Sequence, residues 1–210
     1  MTVKELIDRA KQIADLVNCD FITIQECLNI LNELMFKIYS DMITINDKYF
    51  INSIENIKND FDLKTDIPKE KQFFVLEDIY EVMQFGINSL QRLQRPSKIQ
   101  KGYMILNQKI KLLNVTNPVT IDYFYLPPIF TIDDYEKEDE ETHELISTEI
   151  DVPNNIIIQY LAHLMAAQFK AKQGADFSLI QQTSSTLWES YKNLLDRDAH
   201  DFEQISNIYM

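Results

Sequence analysis

Ten acidic side chains fall within residues 132–151: Asp133, Asp134, Glu136, Glu138, Asp139, Glu140, Glu141, Glu144, Glu149 and Asp151. Lys137 alone opposes them, so this tract is net −9 in a chain whose formal charge is −13. Clustered carboxylates suit three kinds of chemistry. Hard cations prefer carboxylate oxygen, but the run Asp133, Asp134, Glu136, Glu138 lacks the glycine that an EF-hand loop needs at its turn. General acid–base work needs positioned carboxyls with shifted pKa values, which solvated carboxylates on a loop do not supply. The third use is electrostatic: a negative wall repels DNA and lets it slide past instead of sticking. A solvated, mobile loop is the plain alternative.

The other reactive residue types form no constellation. His143, His163 and His200 are far apart, with no HExxH, so zinc is not expected. Cys19 and Cys27 are not a CxxC pair and read as two half-buried thiols. Gly86, Gly102 and Gly174 are the only glycines, so neither GxGxxG nor a P-loop can be built. There is no GxSxG elbow either. The chain is expected to be no enzyme, with no metal and no cofactor. Its acidity argues against gripping nucleic acid through phosphates, which needs clustered Lys and Arg.

With 45% apolar and 25% charged residues, 210 residues suffice for a substantial core. No apolar run is long enough to span a bilayer, and the first residues lack a signal-peptide apolar region. The expectation is a protein made in a cytoplasm, with no membrane association. Thr2 and Glu5 have capping-box spacing, and Leu6, Ala10, Ile13, Ala14 and Val17 share one face of a helix at about 3–17. Thr23 and Glu26 repeat the pattern before a helix at about 24–40. Residues 41–100 are ambiguous, with β character at 73–76. Tyr103–Leu106, a turn at Asn107–Gln108, Lys109–Leu113 and Val119–Tyr125 read as a three-stranded antiparallel meander. Pro127 and Pro128 end it. The tract 132–151 has too few apolar residues to order alone. Pro153 opens an alanine-rich helix at about 153–173, Gly174 caps it, and a last helix follows at 176–195. Residues 197–210 read as a tail with a late apolar cluster.

This order of elements resembles the head-to-tail connector (adaptor) proteins of short-tailed bacteriophages. The likeness is carried by Ile30–Glu33 as a Leu-Asn-Glu-like element. Val75–Tyr80 stands for a Leu-Pro-x-Asp-Phe-Tyr-like element without its proline. Gly102–Tyr103, the aromatic strand from Tyr123 to Pro127, and the Pro153 helix start complete it. The fold it implies is α+β and mainly α. Two N-terminal and two C-terminal helices would form a four-helix bundle-like core, with an inserted antiparallel β meander (β region about 71–126) and an extended C-terminal tail. Residues 1–196 would be one connector domain and 197–210 a docking tail.

The resemblance implies a structural virion protein of the neck or tail, forming a ring, commonly of twelve copies, that joins the portal to the tail. Its partners would be its own copies, the portal protein, tail or further neck proteins, and double-stranded DNA passing without specific binding. Tyr123, Phe124, Tyr125, Pro127, Pro128 and Phe130 would form the subunit interface, since aromatic residues are enriched at interface centres. The acids from Asp133 to Glu141 would make the channel or ring surface. Phe202, Ile205, Ile208 and Tyr209 would dock on the portal. A different class stays open: an acidic binding module, or nucleic-acid mimic, that presents 132–151 to a basic partner one to one.

Overall fold

A computed structural model describes residues 1–17, 21–45, 47–83, 86–139 and 144–208, with the backbone alone for 197–208. Among the described residues there are five α-helices and nine strands. The chain divides into two compact units: residues 1–47 with 128–210, and residues 48–127.

The first unit is built on helices. Helix α1 (Val3–Ile13) and helix α2 (Ile24–Thr44) both start at capping boxes. Thr2 Oγ1 accepts from the Glu5 amide at 3.2 Å, and the Glu5 carboxylate accepts from the Thr2 amide at 2.9 Å. The Thr23–Glu26 pair repeats this at 3.2 and 3.1 Å. Each box satisfies two amides that helix geometry leaves unpaired. Helix α1 stops earlier than its apolar spacing suggests, because Asp15 turns to φ 56°. Helix α4 (Asn155–Lys172) is capped by the Asn154 side chain, two residues later than Pro153 suggested. Its Ile157, Leu161, Ala162, Met165, Ala166 and Phe169 are buried. Helix α5 (Ser178–Ile208) lies along α4.

A four-helix bundle is not what forms. Helix α4 is a hub that packs against α1, α2 and α5, not one corner of a ring of equivalent helices. The protein is α+β with a large antiparallel sheet content, not mainly α. The C-terminal tail is not extended: α5 continues unbroken through 197–208, and at 31 residues it is thirteen longer than α4. The run Ser178–Ile208 contains neither proline nor glycine, so nothing in it breaks the helix.

The second unit is a pair of antiparallel sheets. One has the order β1 (Ile51–Ile57), β7 (Val119–Tyr125), β3 (Phe73–Met83), β4 (Gly86–Ser89). The other has the order β2 (Phe61–Asp62), β6 (Lys109–Leu113), β5 (Gly102–Leu106). They share one core that includes Phe61, Ile79, Tyr103, Ile110, Ile121 and Tyr123. The β5–β6 hairpin forms where expected, with Asn107 at φ 50° and Gln108 at φ 64°, as a primed turn requires.

The three-stranded meander does not form. Strand β7 leaves β6 and inserts between β1 and β3. Its Val119, Ile121 and Tyr123 are buried on one face, and Thr120 and Phe124 on the other, which suits a central strand, not a half-exposed one. The ambiguous residues 41–100 supply the rest of α2 and then β1 to β4.

Candidate functional site

The acidic tract folds in part against the N-terminus. Residues Ile132–Tyr135 form a single helical turn (α3), and β8 (Lys137–Glu138) pairs with β9 (Leu145–Ile146). The Val3 amide donates to the Thr148 carbonyl at 2.9 Å, and the Ile150 amide to the Met1 carbonyl at 3.1 Å. Lys4 forms an ion pair with Glu136, and this contact raises the Lys4 pKa. Asp134 is turned to local duty. It accepts from the Thr131 amide at 2.8 Å, from the Thr131 hydroxyl at 2.9 Å and from the Thr148 hydroxyl at 2.8 Å. Burial pushes its pKa up, but these bonds to the charged form outweigh burial and leave it below the ordinary value.

The segment expected to be a mobile excursion is therefore ordered at 132–139 and 144–150; Glu140 and Glu141 lie outside the described residues. Hydrogen bonds and the Lys4 ion pair to residues some 130 to 150 positions away hold it, and Ile150 is buried to 7% exposure. Asp133, Glu138, Glu144 and Glu149 stay exposed, beside exposed Ile132, Leu145 and Ile146. Asp139 is half-buried.

The aromatic cluster around the prolines is mostly interior. Tyr123 and Phe124 are buried. The Tyr123 hydroxyl donates to the Lys71 carbonyl at 2.9 Å and accepts from Asn52 Nδ2 at 2.9 Å. Tyr125 is half-buried, edge-on to Phe50 at 5.9 Å and beneath the Lys71 ammonium at 5.4 Å. Pro127 is buried and Pro128 exposed, at the return from the second unit to the first. Phe130 is buried, and Asn32 clamps its backbone. Asn32 Oδ1 accepts from the Phe130 amide at 2.8 Å, and Asn32 Nδ2 donates to its carbonyl at 2.9 Å. The backbone of Phe202, Ile205 and Ile208 lies in the last turns of α5, and Tyr209 falls outside the described residues.

Among the described residues, no three His, Cys, Asp or Glu side chains converge on a metal-sized space. Cys27 is fully buried, not half-buried, and burial pushes its thiol pKa up; Cys19 lies outside the described residues. His163 Nδ1 is 2.8 Å from the Gln159 carbonyl of its own helix. A depression of about 440 Å³ in the second unit is lined by Leu63, Lys64, Gln72, Phe73, Ile105 and Gln108, with no convergent reactive groups. No described helix is long and apolar enough to cross a membrane.

Net charge as a single figure hides one group of residues. Residues 82–121 contain no Asp or Glu and six bases: Arg92, Arg95, Lys98, Lys101, Lys109 and Lys111. Divided by unit, residues 48–127 hold eleven Lys and Arg against nine Asp and Glu, a net of +2. The remainder holds nine against twenty-four, a net of −15. The visible signal was the run of forty residues without an acid, in a chain with 33 acids in all.

No family model matches this chain, and no curated protein matches its sequence.

Proposed function

We propose that this chain is a structural virion protein of the connector type, assembling as a ring between portal and tail. The observation that carries the proposal is the amount of large apolar surface left uncovered on each unit. On the second unit, the β3–β4 hairpin exposes Val82, Met83 and Ile87, and the following loop leaves Ile99 at 90% exposure. On the first, Ile129, Leu145, Ile146 and Leu179 are exposed. Contiguous exposed apolar patches mark surfaces that other chains cover, and Val82 and Ile87 lie directly opposite each other on the hairpin. Strand β4 adds a sheet edge whose four residues are all exposed, an open template for pairing. The order of elements that resembles the connector family supports the same reading.

In this role the chain works mechanically. Copies meet side by side through heterologous contacts that close into a ring, twelve by the resemblance. The acidic first unit keeps passing DNA from sticking. The end of α5, with Phe202, Ile205 and Ile208 and then Tyr209, meets the portal. The interface includes the exposed Pro128 and its neighbour Ile129, in preference to the buried Tyr123, Phe124 and Phe130.

The test is co-sedimentation of the full chain and of a chain lacking 197–210 with the portal protein of the same phage. The connector reading expects the full chain to bind and the shortened chain, with its helical signal otherwise intact, to lose binding. Equal binding by both chains would count against the proposed contact. One-to-one capture of a basic protein with no affinity for a portal would favour the acidic binding module instead.

A further inference from the structure

We propose that the basic loop 94–101 of one copy docks on the acidic, apolar-edged surface formed by residues 132–138 and 144–149 of a second copy. The inference deepens the ring reading and rests on it only for closure; the pairwise contact does not require a portal.

The loop is built and held. At its base, Gly102 sits where a Cβ would lie 2.4 Å from the Gln91 carbonyl, so only glycine allows the approach. Tyr103 and residues 91–93 exchange backbone hydrogen bonds at 3.0 and 2.8 Å. Asn114 Nδ2 donates to the carbonyls of Ser97 and Gln100 at 2.9 and 2.8 Å. Ser97 Oγ accepts from the amides of Ile99 and Gln100. Lys101 is tied to the buried Glu81 carboxylate at 3.4 Å. The loop therefore presents exposed Arg95 and Lys98 around the nearly bare Ile99, with its ordering cost already met before any partner arrives.

The acceptor is opposite in net character, with Lys137 its one exposed base. Asp133 and Glu149 are exposed acids, and Ile132, Leu145 and Ile146 give Ile99 an apolar surface to cover. Complementary charge around an apolar centre is the usual anatomy of a protein contact. Duplex DNA would satisfy Arg95 and Lys98 but would leave Ile99 in water. Donor and acceptor lie in different units of the chain, so each copy carries both halves of a head-to-tail contact. This assigns the acidic tract to the surface between copies and leaves repulsion of passing DNA to the other acids of the first unit.

Sedimentation velocity of the full chain, at low salt (about 20 mM) and high salt (about 500 mM), tests the contact. Wild type associates at low salt and dissociates as salt rises. Arg95→Glu/Lys98→Glu and Asp133→Lys/Glu149→Lys each weaken association about tenfold or more, with unchanged circular dichroism and melting. Mixing the two variants restores association to near the wild-type level, because each then offers the half that the other has inverted. The absence of salt-sensitive association in wild type would overturn the proposal. So would association indifferent to either pair, or rescue only when all four changes share one chain, since that marks a contact within the chain. Loss of duplex DNA binding by Arg95→Glu/Lys98→Glu without loss of self-association would overturn it in favour of DNA. Association that behaves as expected in a protein that ignores the portal keeps this contact and removes the connector reading.

Discussion

The two units of this chain differ in charge as sharply as in architecture. The helical unit, residues 1–47 and 128–210, is net −15, and the β unit, residues 48–127, is net +2. Each has its own buried cluster: Leu28, Leu31, Met35, Leu161 and Phe169 in the first, and Ile79, Ile110, Ile121 and Tyr123 in the second. A charge difference of this size along one chain is not needed to fold either unit, since surface charges contribute little to stability. It suits the proposed head-to-tail contact between copies, in which oppositely charged surfaces meet.

Changes inside the two cores test the separation hardest. Leu161→Ala, at a fully buried position on the hub helix, is expected to cost about 2–5 kcal/mol. Hydrogen exchange should then rise first among the amides of α1, α2 and α4. Ile121→Ala, equally buried on the central strand, is expected to cost a similar amount and to raise exchange first in β1, β3 and β7. If either change loosened both units to the same degree, the two cores would be one cooperative structure.

Tyr191→Phe comes next. The Tyr191 hydroxyl donates to the Asp47 carboxylate, both groups are buried, and Trp188 packs 5.8 Å from the Tyr191 ring. Removing the donor while keeping the ring should cost about 1–3 kcal/mol, measured by urea unfolding. An unchanged midpoint would mean that this bond is not what ties α5 to the end of the first helical segment.

Acid should loosen the acidic segment of the helical unit through Asp134. Because the Asp134 carboxyl titrates below its unfolded value, its stabilising share is complete above the ordinary Asp pKa of about 3.9. That share is lost as pH falls through the folded value. Exchange at 131–138 and 144–150 should therefore rise on acidification, and Asp134→Asn should remove the pH dependence. Acid loosening that persists in Asp134→Asn would trace the effect to other carboxylates. The smallest expected effect is Gln108→Gly, which relieves a left-handed backbone in the β5–β6 turn and should stabilise the β unit by about 0.5–1 kcal/mol. A loss of stability instead would mean that the side chain contributes more than the strain.

Local chemistry was legible in the sequence; long-range pairing was not. The capping boxes at Thr2 and Thr23 and the turn at Asn107–Gln108 depend on residues within four positions of one another, and they form as the spacing predicts. Alternation identified β7 as a strand, but periodicity does not name neighbours. Its partners β1 and β3 come from residues too mixed in pattern to read. The acidic segment is held by bonds within itself and by backbone groups and Lys4 from the first four residues, contacts that composition cannot reveal. The basic loop was fully legible as an acid-free run, yet the total of −13 obscured it.

Electron microscopy of the full chain mixed with the portal of the same phage tests the central claim most directly. The account predicts a closed ring seated on the portal, with loop 94–101 of each copy against residues 132–138 and 144–149 of the next. A monomer that leaves the portal bare would contradict it.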